Sequence, residues 1–222
     1  MNPLTPGAAI ADRPVDLLIL IGLLALLPAG LVMLTSFLKM AVVLSIARSA
    51  LGAPQVPPSS AVTGLALVLT ILVMAPVARQ TADLLRSAPA ERGIESSLAA
   101  MERASGPLRE FLARFARPDD RAAFLDVARR LSSPGAAAPA EDDLAVLAPA
   151  FAVSELRRAF TIGFLVFLPF LVVDLVVANV LLALGLTQLS PTSVSLPLKL
   201  LLFVAVDGWR LLARALALSY GG

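Results

Sequence analysis

The sequence predicts an all-α fold of membrane-protein-like helical hairpins, with broken helices and a small soluble helical insertion. Three observations predict it: four long apolar stretches, helix-breaking residues within them, and a charged region with helical periodicity between the second and the third. Hydrophobic residues make up 58% of the 222 residues and charged residues 15%, against roughly 45–50% and about 25% in soluble domains. Lipid or partner subunits must therefore cover much of the apolar surface.

The four apolar stretches are long enough to cross a bilayer as helices. The first, Leu17 to Phe37, would be roughly 31 Å long, close to the thickness of a hydrocarbon core. The second is Ala61 to Ala78, the third is Ala159 to Leu186, and the fourth is Val194 to Ser219. The third is long enough to span with a tilt or a break.

Helix breakers and charges make these stretches unusual as lipid-facing helices. We expect Pro76 to end the second stretch, and the others carry breakers at Pro28, Gly30, Gly163, Pro169 and Pro197. Charged side chains also lie within or beside them: Lys39, Asp174, Lys199, Asp207 and Arg210. Each charge costs roughly 2.5–3.5 kcal/mol in hydrocarbon on insertion scales. The helices are therefore expected to pack mainly against other protein.

The chain divides into three parts of one structural unit: hydrophobic helical hairpins at 1–78 and 159–222, and a soluble helical insertion at 79–158. Two apolar stripes with helical spacing predict helices in the insertion. They are Leu108, Phe111, Leu112 and Phe115, then Phe124, Val127, Ala128 and Leu131. Asp119 is predicted to cap the second of these helices, and Ser132 to Asp143 is predicted to be a loop.

The composition excludes most enzyme classes. The chain has no histidine and no cysteine, which excludes a Ser-His-Asp triad, thiol catalysis and the usual zinc sites. We predict no catalytic residue, metal or cofactor. The net charge of +2 and the lack of a basic run interleaved with aromatic residues also argue against nucleic acid as a partner.

Two aspartates in apolar surroundings, Asp174 and Asp207, allow two interpretations. They could share a proton as an acid/base dyad of an intramembrane protease, or they could be structural charges paired with cations. We favour the second, because Lys199 and Arg210 are available as counter-ions. Since Lys199 and Asp207 share a helix face without touching, each is expected to find its partner on another helix or another subunit. With Lys39 and Asp174 they form the predicted set of structural or inter-subunit charges.

A series of short motifs, in order along most of the chain, resembles the FliP/SctR family of type III secretion export proteins. In the first half the motifs are Leu34 to Lys39, Arg48 to Gly52, Gln55 to Pro58, and Val73 to Val77. In the second half they are Pro149 to Phe151, Ser154 to Leu156, Leu168 to Phe170, Asp174 to Val177, Ser195 to Leu200, and Asp207 to Trp209. Lys39, and an N-terminus that does not resemble a cleavable signal, are more similar to the injectisome branch than to the flagellar branch.

The resemblance implies a non-enzymatic core subunit of an export gate. Several copies would form a pentamer-like ring with SctS- and SctT-family proteins, near SctU- and SctV-family proteins. Together they would make a helical channel through which unfolded proteins cross the bacterial inner membrane. The resemblance implies a multi-pass chain assembled toward the periplasmic side, with the insertion in the periplasm. By contrast, Arg79, Arg86, Arg157 and Arg158 at the membrane ends alone would place the insertion in the cytoplasm.

The resemblance also assigns a pore constriction. Members of the family carry a methionine-rich loop after the third apolar segment, and this loop closes the pore as a gasket. Here the corresponding residues are Leu186, Thr187, Gln188 and Leu189, with no methionine among them. Leucine can seal by apolar contact but lacks the flexible thioether, and the two polar residues would enter the seal.

One further alternative is a stand-alone small membrane transporter or channel. In that interpretation Asp174, Lys199 and Asp207 would line the translocation path. The lack of a detectable internal repeat argues against it, and a purified complex without SctS- or SctT-family partners would favour it.

Overall fold

The computed structural model describes residues 32–53, 56–87, 94–133 and 137–221, together with 21, 22, 25 and 30. All regular secondary structure in these ranges is helical, as predicted. The first apolar stretch, Leu17 to Phe37, lies largely outside the described residues. The helices are α1 (Phe37–Ala50), α2 (Ser59–Arg86), α3 (Ile94–Ala104), α4 (Gly106–Phe115), α5 (Pro118–Leu131), α6 (Leu144–Ala183), α7 (Pro191–Ala205) and α8 (Gly208–Leu218).

The 40-residue helix α6 is the spine of the molecule, because α1, α4, α5 and α7 all pack along it. α1 and α6 approach each other closely at Gly163. A Cβ on this glycine would lie 2.4 Å from Cδ1 of Ile46 and 3.1 Å from its Cβ. Only the missing side chain therefore lets the two helices approach this closely. The main apolar core lies along this contact and includes Met40, Leu44 and Phe151.

Prolines do not break the two longest helices. The prediction that Pro76 ends its helix is wrong, because α2 continues through it to Arg86. Likewise α6 is continuous past Gly163 and Pro169. A proline removes one backbone hydrogen bond, and in a long helix the turns on both sides still hold the backbone. The boundaries drawn at residues 78 and 158 thus fall inside α2 and α6.

Among the described residues, α2 and α6 are long and apolar enough to cross a membrane. Most of their apolar side chains are not covered by other described residues: only 22% and 17% of their most apolar windows are buried. The described part of a single copy therefore leaves two long apolar surfaces that need lipid or protein around them.

The insertion contains both predicted helices, α4 and α5, and the predicted loop joins α5 to α6 over its described residues. Two details differ. Asp119 does not cap α5, because that helix starts at Pro118 with Arg117 at the cap position. The buried face of α5 also differs from the predicted stripe: Asp120 and Leu125 are buried, whereas Val127 and Leu131 are exposed.

The fourth apolar stretch is broken into α7 and α8 by a left-handed residue. Asp207 has φ 52° and ψ 50°, a conformation that asparagine and aspartate tolerate better than most residues. The next residue, Gly208, has to be small, because a Cβ there would lie 2.3 Å from Cε2 of Phe203. Trp209 packs edge-on against the same ring, with centroids 5.1 Å apart. The turn between α7 and α8 is therefore held by tight packing of Gly208 and Trp209 against Phe203.

The α1–α6 contact generates a stability prediction with a matched control. Gly163→Ala should lower the free energy of unfolding by about 1–3 kcal/mol, because the new methyl group pushes Ile46 out of its place. Gly64→Ala should instead raise it by about 0.5–1 kcal/mol, since a Cβ at Gly64, also inside a helix, meets no atom within 4 Å. Thermal unfolding in detergent, followed by circular dichroism, measures both. Equal effects of the two substitutions would contradict the close approach.

Candidate functional site

The centre of the described structure is a buried carboxylate, Glu155 on α6, which is 0% exposed. Lys39 of α1, itself 2% exposed, places its ammonium 3.2 Å from Oε2 of Glu155. Arg158 donates to Oε1 at 2.6 Å and also to the backbone carbonyl of Phe115 at 2.6 Å. Cations from two helices therefore compensate for the cost of burying this carboxylate, and Arg158 links it to the end of α4.

Tyr220, two residues after α8, completes the cluster. Its hydroxyl donates to Oε2 of Glu155, and the ammonium of Lys39 lies 3.5 Å from the centre of its ring. Phe111 stacks on the ring and Phe115 meets it edge-on, with centroids 5.8 and 4.8 Å away. The C-terminal end of the chain is thereby fixed against α1, α4 and α6.

Burial shifts the pKa of two groups in this cluster, Lys39 and Tyr220. It lowers the pKa of Lys39, although the Glu155 carboxylate opposes the change. It raises the pKa of Tyr220, and the same carboxylate raises it further because a tyrosinate would face a second negative charge. The cluster is thus built around a neutral tyrosine.

Lys39 is one of the structural charges predicted from the sequence, whereas Glu155, Arg158 and Tyr220 were not predicted as site residues. A signal for Glu155 was present. The buried residues of α6 recur with helical spacing, and Glu155 occupies a position of that apolar face, after Leu147 and Phe151. A charged residue in the register of a core face needs a buried partner, and the lysine on α1 is that partner.

A second polar joint attaches α5 to α6. Ser154, fully buried, donates to Oδ2 of Asp120 at 2.7 Å and accepts from the backbone N–H of Arg117 at 2.9 Å. Arg157 donates to the other oxygen of Asp120 at 3.3 Å. Glu155 and Asp120, the buried carboxylates among the described residues, are therefore each bound by a cation and a hydroxyl group.

The remaining predicted charges form two separate ion pairs. Lys199 on α7 donates to Oδ2 of Asp174 on α6 at 2.5 Å, and Ser195 donates to the other oxygen at 2.6 Å. The ammonium also lies 3.7 Å from where a Cβ on Gly52 would stand, beyond the C-terminus of α1, where the helix dipole favours a cation.

The sequence predicted that Asp207 would pair with a residue on another helix or another subunit, and the ion pair in the structure is a different one. Within the chain Asp207 pairs with Arg210, three residues further on, at 3.1 Å in an exposed position. The structure therefore gives each aspartate its own cation and provides no shared site for a proton between Asp174 and Asp207. Across the described residues, no cluster of acidic side chains could hold a metal ion.

The predicted constriction residues form the tip of the hairpin between α6 and α7. The helix ends in a Schellman motif: Leu186 N–H donates to the carbonyl of Leu181 at 2.9 Å, and Gly185 N–H to that of Leu182 at 3.0 Å. Gly185 has φ +70°, which a glycine adopts without strain. All of Leu186 to Leu189 is exposed, with Leu186 at 43% and Leu189 at 49%.

The ionisation of Tyr220 can be measured directly, because it is the only tyrosine in the chain. In the folded protein its ionisation should occur well above the ordinary pKa of 10.0. A raised pKa means that this group's contribution to stability is complete below pH 10.0 and is lost as the pH rises above it. Tyrosinate absorbance in detergent measures the ionisation, with the guanidinium-unfolded chain as reference and Tyr220→Phe as blank. Ionisation of the folded chain at the reference pKa would contradict the buried contact.

Comparison with known proteins agrees with the resemblance seen in the sequence. A family model described as the FliP family matches residues 20–216. The chain is 47% identical to Yop proteins translocation protein R of Yersinia pestis over 210 residues, which covers 94% of this chain and 97% of the relative.

A flagellar relative and a hypersensitivity response secretion protein are nearly as similar. Flagellar biosynthetic protein FliP of Pectobacterium carotovorum subsp. carotovorum is 45% identical over 99% of this chain and 83% of its own length. Hypersensitivity response secretion protein HrcR of Ralstonia nicotianae is 43% identical over 92% of this chain and 96% of its own length. With matches of this extent, the chain belongs to the FliP family of type III secretion and flagellar export proteins, and the SctR branch fits it.

Proposed function

We propose that this chain is a core subunit of a type III secretion export gate. Several copies assemble with SctS- and SctT-like proteins into the channel through which unfolded proteins cross the bacterial inner membrane. The protein provides a path and a gate, with no catalytic step of its own. SctU- and SctV-family proteins are its further neighbours, and the assembly stands toward the periplasmic side of the membrane.

The near full-length similarity to translocation and flagellar export proteins is the observation that carries this proposal. The surface of the chain supports it. Exposed leucines and valines line an apolar groove of about 480 Å³ between α6 and α7, including Val176, Leu198 and Leu201. Apolar surface of this kind is typical of a protein that is completed by other subunits.

The gate is placed at the tip of the α6–α7 hairpin. In a ring of copies, Leu186 and Leu189 from each hairpin would meet and exclude water, which blocks ions without a bound plug. A substrate chain entering the ring would displace them. The ion pair of Lys199 with Asp174, together with Ser195, holds the two helices of the hairpin together and so positions its tip.

The proposed function predicts that the chain assembles with partner subunits. Co-expressed with its SctS- and SctT-family neighbours and purified in mild detergent, the chain should appear in native mass spectrometry as one complex with several copies of itself and both partners. Leu201→Asp should abolish that complex, because it places a charge in the apolar groove. Leu131→Asp, at an exposed leucine outside the groove, should leave it intact. A monomer or dimer without partners would sink the proposal and favour a stand-alone transporter.

The proposed gate predicts that the tip leucines block ions. In liposomes containing the complex, Leu186→Asn with Leu189→Asn should raise ion leakage on the order of tenfold, because polar side chains let water into the constriction. Thr187→Leu with Gln188→Leu, which makes the tip wholly apolar, should not raise it. Leu131→Asn serves as the control for an exposed leucine elsewhere. Unchanged leakage with Asn at both tip leucines would remove these residues from the gate.

A further inference from the structure

A basic groove of about 580 Å³ opens beside the buried cluster, between α1, α4 and α6. Five cations line it, together with Thr161, whose hydroxyl donates to the backbone carbonyl of Arg157 at 3.0 Å. The five are Lys39, Arg114, Arg117, Arg157 and Arg158. Neither the gate nor the apolar groove between α6 and α7 includes any of them.

The carboxylates nearby do not balance these charges. Lys39 and Arg158 share Glu155, Arg157 pairs with Asp120, and Arg117 pairs with Asp119 at 3.5 Å. Across the described residues Arg114 has no carboxylate partner and lies over the ring of Phe115, 5.4 Å from its centre. Five cations against three carboxylates leave two positive charges in the groove.

These cations are suited to binding an oxyanion. Arg158 and Arg157 are held in place by Glu155 and Asp120, so that little side-chain freedom would be lost when they bind a ligand. A guanidinium group presents paired N–H donors that match the oxygens of a phosphate.

An exposed apolar stripe leads away from the groove along α6. From Thr161 in the groove, the residues four, seven and eleven positions on are Leu165, Leu168 and Val172, which lie on the same helix face. They are 60%, 37% and 57% exposed. At 1.5 Å per residue the stripe is roughly 16 Å long, close to half of the ~30 Å hydrocarbon core of a bilayer.

From this arrangement we infer that the groove binds the headgroup phosphate of an anionic phospholipid, whose acyl chains lie along the α6 stripe. The basic groove matches the negative charge of the headgroup, and the apolar stripe matches the acyl chains in polarity and length. A carboxylate from another copy of the chain would use the cations but leave the stripe unexplained. This inference does not depend on the channel role proposed above.

Native mass spectrometry of the full chain in detergent, with added phosphatidylglycerol or phosphatidylcholine, tests it. The wild-type chain should retain phosphatidylglycerol and not phosphatidylcholine. Arg114→Gln with Arg157→Gln should weaken retention about tenfold or more, since each basic residue near an anionic headgroup contributes substantially to binding. Arg129→Gln with Arg130→Gln, at exposed sites on α5 outside the groove, removes the same charge and should have no effect. Arg114→Glu alone, at a side chain with no ion pair to lose, should also release the lipid from a chain with a native circular dichroism spectrum.

Three results would overturn the inference. Equal retention by the wild-type chain and both groove variants would exclude the groove as the site. Displacement of phosphatidylglycerol by an equal concentration of inorganic phosphate would show a site for free anions and no role for the stripe. A loss of oligomeric state in the groove variants, with lipid retention per chain unchanged, would assign the groove to a carboxylate of another copy.

Discussion

The fold depends on how the carboxylate of Glu155 is satisfied. A charged group with no exposed surface costs several kcal/mol to bury, and that cost is offset only if its lone pairs are bonded. Here Lys39, Arg158 and Tyr220 supply the donors, and they come from the start of α1, from α6 itself and from the last residues of the chain. Because one carboxylate needs all three, the cluster requires the start of α1 and the last described residues of the chain to meet on the first third of α6.

The two ends of α6 consequently have different characters. Around Glu155 the helix is enclosed by α1, α4 and α5, and its polar side chains have partners within the chain. Beyond Gly163, among the described residues, α7 packs along it and the end of α1 meets it near Phe170, while leucines such as Leu165 and Leu182 stay exposed. The hairpin end presents apolar surface that an assembly or a bilayer has to cover. Such a division between an enclosed end and an exposed apolar end suits a protein that is completed by other subunits.

The sequence predicted which segments are helical better than where they end or which faces they bury. The stripe of Leu108, Phe111, Leu112 and Phe115 was enough to predict helix α4, because a helical stripe depends only on the spacing of residues close together in sequence. The end predicted at Pro76 was wrong because, in a long helix, the hydrogen-bonded turns on both sides of a proline hold the backbone although one bond is lost. At the candidate site, the pairing of Lys199 with Asp174 spans 25 residues and Tyr220 with Glu155 spans 65. Separations of this size leave no local periodic trace, so only the resemblance to a family pointed to the hairpin tip.

The gate proposed at the hairpin tip would have to seal without methionine. A methionine closes an opening by adapting its three side-chain torsions, so it tolerates an imprecise backbone. Leucine has fewer torsions and needs a backbone that presents it at a defined position. In this chain the Schellman motif provides that backbone: the bond from Leu186 N–H to Leu181 fixes the first leucine of the tip relative to α6, and Gly185 allows the turn. The ion pair at Asp174 then fixes α7 relative to α6. A gate of this kind would close because its leucines are held at defined positions, whereas a methionine gate closes because its side chains are flexible. The polar pair Thr187 and Gln188 would be tolerated, because the leucines on either side of it make the apolar contact.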